Sequence, residues 1–319
     1  MTAGPVTSAA VVVCAYTELR WSCIQAAVRS LRDQTRPPDE VVLVVDHNPA
    51  LLKRARAAFR TVTVVANTGA RGLSGARNTG LAAASADVVA FLDDDARAEP
   101  EWLERLLAGY RPGILGVGGS AVPDLSTRAR PGWLPEEFDW VIGCSYRGQP
   151  TRTAPVRNFI GANMSFRRRS LLAVGGFAEG IGRVGRVPLG CEETELCIRL
   201  RQRFPGNLLY DPSARVRHLV PGDRLTLRYF SRRCWHEGRS KALVSSSVGA
   251  ADGLATERGY VTRTLPRAMV ESTRRGARGL PRLLAIPFGV AVTALGYVAG
   301  RATMRASSKG KEPWCASRW

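Results

Sequence analysis

No two of the seven cysteines (Cys14, Cys23, Cys144, Cys191, Cys197, Cys234 and Cys315) stand at CxxC spacing. That lack, with an odd count, argues against a disulfide framework or a cysteine zinc site and for free thiols in a reducing compartment. The opening MTAGPVTSAA has neither a basic region nor a long apolar core, so no secretory signal is expected. Acids are scarce as well: 27 Asp and Glu face 46 Lys and Arg, a formal charge of +19. Such an excess selects anionic partners, whether nucleic acid, an acidic membrane surface or phosphorylated substrates. What remains is ordinary for a folded chain. The 319 residues are 45% apolar and 23% charged, enough for one large domain or a domain with an appendage.

The first half alternates strand and helix signals. Apolar β-branched runs at residues 10–15, 41–45, 62–65 and 88–92 are separated by helical patterns at 19–32, 51–60 and 74–84. This βαβαβαβ order predicts a mostly parallel sheet with helices on both faces and right-handed crossovers. Between about 113 and 155 the periodicity weakens and Gly, Pro and Trp become frequent, which reads as a loop layer over the sheet edge. A further strand is expected over 159–166, and helices over 192–204 and 225–243. From 258 to 319 there are twelve Lys or Arg against two Glu, yet residues 283–300 carry no charge. These eighteen residues are close to the roughly 20 that a bilayer span needs. A docked core helix and a membrane-associated one both fit, and the basic flanks favour anionic headgroups.

The strand at 88–92 runs into Asp93, Asp94 and Asp95. Ligands of an open α/β sheet bind beyond the carboxyl ends of its strands, and three adjacent carboxylates there call for a cation. A divalent ion shared with nucleotide phosphates meets that need; a dipole-favoured acidic lead into a helix near Pro100 is the plainer alternative. The other strands end in Ala15-Tyr16-Thr17, in Asp46, and in Asn67 through Gly72, all on the same edge. Tyr16 suits a planar base and Asp46 a ring N–H. The glycines permit close backbone approach, and Arg77 offers a fork that fits phosphate.

In this order the motifs resemble glycosyltransferase family 2. The resemblance is carried by residues 11–16, 44–46, Asn67 with 72–80, 91–95, the Gly161-Ala162-Asn163 strand and the run from Gly190 to Leu200. It covers 9–243 and implies a GT-A fold that transfers a sugar, with inversion, from a nucleotide-diphosphate donor. The resemblance divides the chain into a flexible start (1–8), a glycosyltransferase domain (9–243) and a basic extension (244–319). Within the domain, 9–112 would bind the nucleotide and 113–243 the acceptor.

Residue by residue, the resemblance implies that Ala15, Tyr16, Thr17, Asp46, Asn67, Gly72, Arg77, Asp93 and Asp94 hold the nucleotide sugar. Asp95 would bind Mn2+ or Mg2+, with Asp93 and His218 as further ligands. Gly161, Ala162 and Asn163 would meet the acceptor, and Arg232, Arg233, Trp235, His236 and Lys241 lie on a helix that could close over the diphosphate or form a solvated basic face. Glu193, aided by Glu192, would be the catalytic base; the family usually has Asp at the position of Glu193. A plain acidic first turn is the other reading of those glutamates. A UDP-sugar is the favoured donor, and the acceptor a glycan or lipid-linked glycan of the cell envelope. The expected location is the cytoplasmic face of the membrane. A nucleotidyltransferase would not need the paired acids at 192–193. A nucleic-acid-binding protein should interleave its basic charge with stacking aromatics; here the charge crowds beside an uncharged stretch, so no nucleic-acid partner is expected.

Overall fold

The computed structural model describes residues 6–183 and 189–309. The core is a nine-stranded sheet: β1 (Ala9–Ala15), β2 (Glu40–Asp46), β3 (Thr63–Asn67), β4 (Val88–Asp93), β5 (Ala96–Ala98), β6 (Ile114–Asp124), β7 (Ala154–Val156), β8 (Asn163–Arg167) and β9 (Asn207–Leu219). Strands run in the order β3-β2-β1-β4-β8-β6-β9-β5, with β7 also on β9. The four apolar runs read from the sequence form the parallel half, β3-β2-β1-β4. Beyond β4 the sheet is mixed, because β8 pairs antiparallel with both β4 and β6 while β6 and β9 are parallel.

Helices α1 (Trp21–Arg32), α2 (Pro49–Ala58), α3 (Leu73–Ala83), α4 (Trp102–Ala108), α5 (Arg168–Ala173) and α6 (Glu192–Arg203) flank the sheet. Two apolar clusters follow from the alternation of side chains along β1 and β4. Val11, Val13, Ala90 and Leu92 face α1 and α4 on one side. Val12, Val89 and Phe91 face α3 and α6 on the other. A parallel strand buried on both faces reads as an unbroken apolar run, which is why β1, β2 and β4 were legible; β3, at the sheet edge, is only half-buried.

The stretch from 113 to 155 is not a loop layer. It contains β6, a 3-10 turn (Glu136–Ile142) and β7. The glycines that disguised β6 are there for close packing: a Cβ on Gly118 would lie 2.3 Å from the Phe159 ring, and one on Gly119 only 1.9 Å from the Ala214 carbonyl oxygen. Gly119→Ala is therefore expected to destabilise the fold by about 3 kcal/mol, the upper end for overpacking, measured as a lowered urea midpoint at unchanged m-value. The strand expected over 159–166 begins instead at Asn163. At the N-terminus, residues 1–5 lie outside the described residues. Within the expected flexible start, Thr7 is hydrogen-bonded to the domain, its N–H and hydroxyl donating to Asp87 at 2.9 and 2.7 Å.

A helical layer completes the chain. The long α7 (Leu227–Val248) leads to the short α8 (Ala250–Gly253) and α9 (Ala255–Gly259). A π turn (Tyr260–Thr264), α10 (Leu265–Arg274) and α11 (Leu280–Lys309) follow. Phe138, Phe230, Leu265 and Ile286 form a third cluster that joins this layer to the 3-10 turn. The charge-free residues 283–300 lie within α11.

Candidate active site

One cavity of about 830 Å³ opens over the carboxyl ends of β1, β2 and β4 and continues under α7 and α11. Its wall includes Ala15, Tyr16, Asp46, Gly72, Arg77, Asp93, Asp94, Asp95, Gly161, Ala162, Glu192, Glu193 and His218. Residues more than 200 positions apart in sequence thus share one chamber. Thr17, Asn67 and Asn163 stand outside the wall.

Those three have structural work. Thr17 caps the turn after β1, its hydroxyl accepting from the Leu19 N–H. Asn67 organises the glycine turn: its amide donates to Asp46 at 2.6 Å and to the Ala70 carbonyl, and its oxygen accepts from Gly69 N–H and Thr79. Asn163 is fully buried, donating to the Ser120 and Ala214 carbonyls and accepting from the Trp102 indole. With both ends of its amide engaged in holding β6, β8 and β9 together, Asn163 is not in contact with the chamber. Of the three residues expected to meet the acceptor, Gly161 and Ala162 line the cavity.

The nucleotide end is built around Asp46. One of its oxygens takes the Asn67 amide and the other the N–H of Gly72 at 3.0 Å, so the carboxylate is fixed with lone pairs to spare for a base. Gly72 holds φ 121°, outside the range of L side chains, and begins α3. Gly75 follows because a Cβ there would lie 1.9 Å from the Ala70 carbonyl oxygen. Tyr16 is 36% exposed, with the Arg20 guanidinium 5.7 Å from its ring centre.

Arg77 is almost wholly buried, and its fork is already occupied. It reaches Glu192 at 2.7 Å, the Gly161 carbonyl at 3.0 Å and Asp93 at 3.3 Å. It ties β4, the turn at Gly161 and the start of α6 into one unit while also lining the cavity. A Cβ on Gly161 would come within 3.1 Å of this guanidinium.

The three aspartates differ sharply. Asp93 is partly exposed. Asp94 is buried, and burial pushes its carboxyl up to about 7 against the pull of Arg20 at 2.7 Å. Burial acts on Asp95 in the same direction. His218 at 3.2 Å, Arg20 at 3.0 Å and Arg224 at 3.4 Å outweigh it and hold Asp95 well below the usual range. His218 in turn is pushed up to about 10, since Asp95 overcomes the cost of burying its charge. One potential ligand atom from each of Asp93, Asp95 and His218 lies within 4.8 Å of the other two. Two carboxylates and an imidazole fit a divalent cation, and Mn2+ tolerates that mixture better than Mg2+, which prefers oxygen alone. β9 delivers His218 because it pairs with β5, placing His218 opposite Ala96, one residue past Asp95.

The glutamates of α6 part in the same way. Glu192 is buried against Arg77. Glu195 pairs with Arg199 one turn on. Glu193 lines the cavity and, among the described residues, has no cation in salt-bridge contact; the Thr194 hydroxyl donates to it at 3.3 Å. Burial, then the charge of Glu192, pushes its carboxyl up to about 8.

Several wall residues had gone unrecognised in the sequence. Arg20 and Arg224 neutralise the acids from the turn after β1 and from the 3-10 turn Gly222–Leu225. The Cys144 thiol lies 3.8 Å from His218 Nδ1. On the far wall, Arg233 with Glu237 and Arg157 with Glu257 form ion pairs, and Lys241 reaches both glutamates. An Arg or Lys in a basic helix gives no sequence signal of which face it occupies. Of the α7 residues expected to close over the diphosphate, Arg233 and Lys241 line the cavity, whereas Arg232, Trp235 and His236 do not.

Residues 10–175 match the family model described as glycosyl transferase family 2. The chain is 37% identical over 239 residues to the glucosyl-dolichyl phosphate glucuronosyltransferase of Haloferax volcanii, covering 73% of this chain and 76% of that one. It is 28% identical over 207 residues to the pre-mycofactocin glycosyltransferase of Mycobacterium tuberculosis, with 63% of this chain and 42% of that one aligned. Among solved structures, a mannosyltransferase of Pyrobaculum calidifontis in complex with GDP-Man and Mn2+ superposes with a TM-score of 0.58 at 17% identity, over 96% of this chain and 91% of its own. GalNAc-T7 with UDP, GalNAc and Mn2+ gives 0.53 at 16% identity, over 97% and 58%. Both share the GT-A fold. The protein is a glycosyltransferase and belongs to glycosyl transferase family 2.

Proposed function

We propose that the enzyme transfers a sugar, with inversion and metal assistance, from a nucleotide-diphosphate donor to a hydroxyl of a lipid-linked acceptor at the membrane surface. The observation that carries this reading is that Glu193 lines the same cavity as the Asp93, Asp95 and His218 group. The name of the 37% identical relative supports a polyisoprenyl-phosphate glycan as acceptor. The residues implied to hold the donor are Ala15, Tyr16, Asp46, Gly72 and Asp93, with a UDP-sugar favoured by the ring N–H that Asp46 can accept.

A dication held by the Asp93, Asp95 and His218 group would stabilise the charge that grows on the leaving diphosphate. Tyr16 and Asp46 orient the base, and the Arg77 tie keeps Asp93 and α6 in fixed relation. Glu193 takes the proton of the acceptor hydroxyl as that oxygen attacks the anomeric carbon opposite the leaving oxygen. The C–O bond to the diphosphate breaks as the new one forms, so the anomeric configuration inverts. The basic extension would hold the enzyme at the cytoplasmic leaflet, whose anionic lipids attract it, and the product would serve an envelope glycan.

The test is transfer from a panel of labelled nucleotide sugars to polyisoprenyl-phosphate glycosides in vesicles, with Mn2+, with Mg2+, and after chelation. Turnover of one donor, lost on chelation and restored by Mn2+, is expected. Turnover unaffected by thorough chelation would refute the metal-assisted reading, and transfer only to water-soluble glycans would refute the lipid acceptor.

A further inference from the structure

The segment from Gly276 to Arg305 is long and apolar enough to cross a membrane; its most apolar 18 residues have a mean hydropathy of 1.9, and only 28% of that window is buried in the protein. Length and composition cannot separate a spanning helix from one that lies on a bilayer. The packing of α11 can. One of its faces is docked on α7 so closely that a Cβ on Gly238 would lie 2.0 Å from the Thr293 carbonyl oxygen, and one on Gly296 2.2 Å from that of Trp235. Gly289 meets Phe138 and Phe230, and Gly300 meets Ala242. At the head of the helix, buried Arg282 pairs with buried Glu137 at 2.8 Å. The glycines are therefore a docking seam running along the whole charge-free stretch. To cross a bilayer, α11 would have to carry α7 with it, including Arg228, Arg233, Glu237 and Lys241. Each charge costs roughly 3 kcal/mol at the bilayer centre even on the most lenient scale.

The opposite face of α11 is bare. Leu284, Phe288, Leu295 and Val298 are 46 to 63% exposed and follow one another at helical spacing along a single stripe. The cavity reaches this stripe. Ala294 and Val298 are exposed and also line the cavity wall, and so does Val261 on the π turn, 45% exposed. The arm leading inward from them carries Tyr260, Val290 and Tyr297, with Thr256, Thr293 and the paired Lys241 and Glu257 in the same wall. A cavity serving only a nucleotide sugar and a water-soluble glycan has no need of an apolar mouth set in an apolar surface. The surrounding sequence supplies twelve basic residues against two acidic ones from 258 to 319, complementary to anionic headgroups.

We infer that α11 lies in the plane of the membrane surface, and that the mouth between Ala294, Val298 and Val261 admits the hydrocarbon tail of the acceptor sideways from the leaflet. This rests on the lipid-linked acceptor proposed above. The sugar end of the acceptor then reaches Glu193 while its tail remains in contact with the bilayer, so a long chain need not leave the membrane for the reaction.

The full-length protein is tested by flotation with phosphatidylcholine vesicles, with and without phosphatidylglycerol, followed by an alkaline carbonate wash. Binding that increases with phosphatidylglycerol and is released by carbonate is expected; retention through the wash means a spanning helix and overturns the inference. Leu284→Glu with Leu295→Glu should abolish flotation and leave transfer to a short-chain acceptor in solution unchanged. Ala294→Trp should float like the unsubstituted protein and raise KM for a long-chain polyisoprenyl acceptor by about tenfold, or 1.4 kcal/mol. A polyisoprenyl phosphate with a photoreactive tail should label the peptides holding Val261, Ala294 and Val298. If transfer to a long-chain acceptor is observed but the label falls elsewhere and Ala294→Trp leaves KM unchanged, the side entrance is refuted and the lipid acceptor stands. If no polyisoprenyl acceptor is used at all, both fall.

Discussion

Asp95→Asn is expected to lower Mn2+-dependent turnover by about a thousandfold, since a Lewis acid at a leaving diphosphate supplies several kcal/mol and each 1.36 kcal/mol is a factor of about ten. The neighbouring acid provides the control. Asp94 is buried beside Arg20, and its carboxyl is pushed up to about 7, so at neutral pH it is already close to half neutral. Asp94→Asn keeps the shape of that neutral acid and should cost less than about tenfold. Asp95 is held ionised by His218, Arg20 and Arg224, so the amide removes a full charge. His218 can answer by losing its proton, because its raised basicity derives mainly from Asp95; the fold should therefore survive, with an unchanged far-ultraviolet circular dichroism spectrum. Titration calorimetry with Mn2+ separates binding from chemistry. Full activity in Asp95→Asn, or equal losses in the two variants, would overturn the assignment of Asp95.

How much of this could be read in the sequence varies by region and for physical reasons. In the parallel half, β1, β2 and β4 were legible because they are buried on both faces and lead into polar residues, so apolar run and loop are sharply marked. β6 was not, because Gly116, Gly118 and Gly119 satisfy close approaches to β8, Phe159 and Ala214 that no local pattern reveals. The same holds for α11, where glycines read as dilution of an apolar segment are the seam that docks it on α7. In the site, motif order pointed to Asp93, Asp95, Glu193 and His218, and the fold brings all four to one cavity. Motif order cannot, however, tell a side chain that faces the cavity from one that holds the wall. Asn163 stands in the expected segment, yet its amide joins strands, and the Arg77 guanidinium joins β4 to α6 while lining the cavity. The charge partners Arg20 and Arg224 depend on contacts between distant turns, and only the fold discloses them.

Glu193→Gln should reduce transfer by roughly 10²–10⁴-fold, the usual contribution of a general base, with donor and Mn2+ binding preserved. Its pH behaviour is the sharper test. A base must be unprotonated to act, and Glu193 is pushed up to about 8 by burial and by Glu192. The rate of the native enzyme should therefore rise with pH along a limb at or somewhat below 8, lowered by any cation bound nearby, and the variant should lose that limb. Stability runs the other way. A carboxyl whose folded pKa exceeds its unfolded value contributes stability below the unfolded pKa, and that contribution is lost as pH rises through the folded one. Gln cannot ionise, so the variant should match the native melting temperature near about pH 5 and exceed it near about pH 9. Glu192→Gln should behave differently: it leaves the buried Arg77 with Asp93 alone, and breaking a buried pair costs about 3–5 kcal/mol, so its first effect is a lowered melting temperature. A native rate that is flat with pH across this range, or a Glu192→Gln that abolishes transfer at full stability, would move the role of base from Glu193 to Glu192.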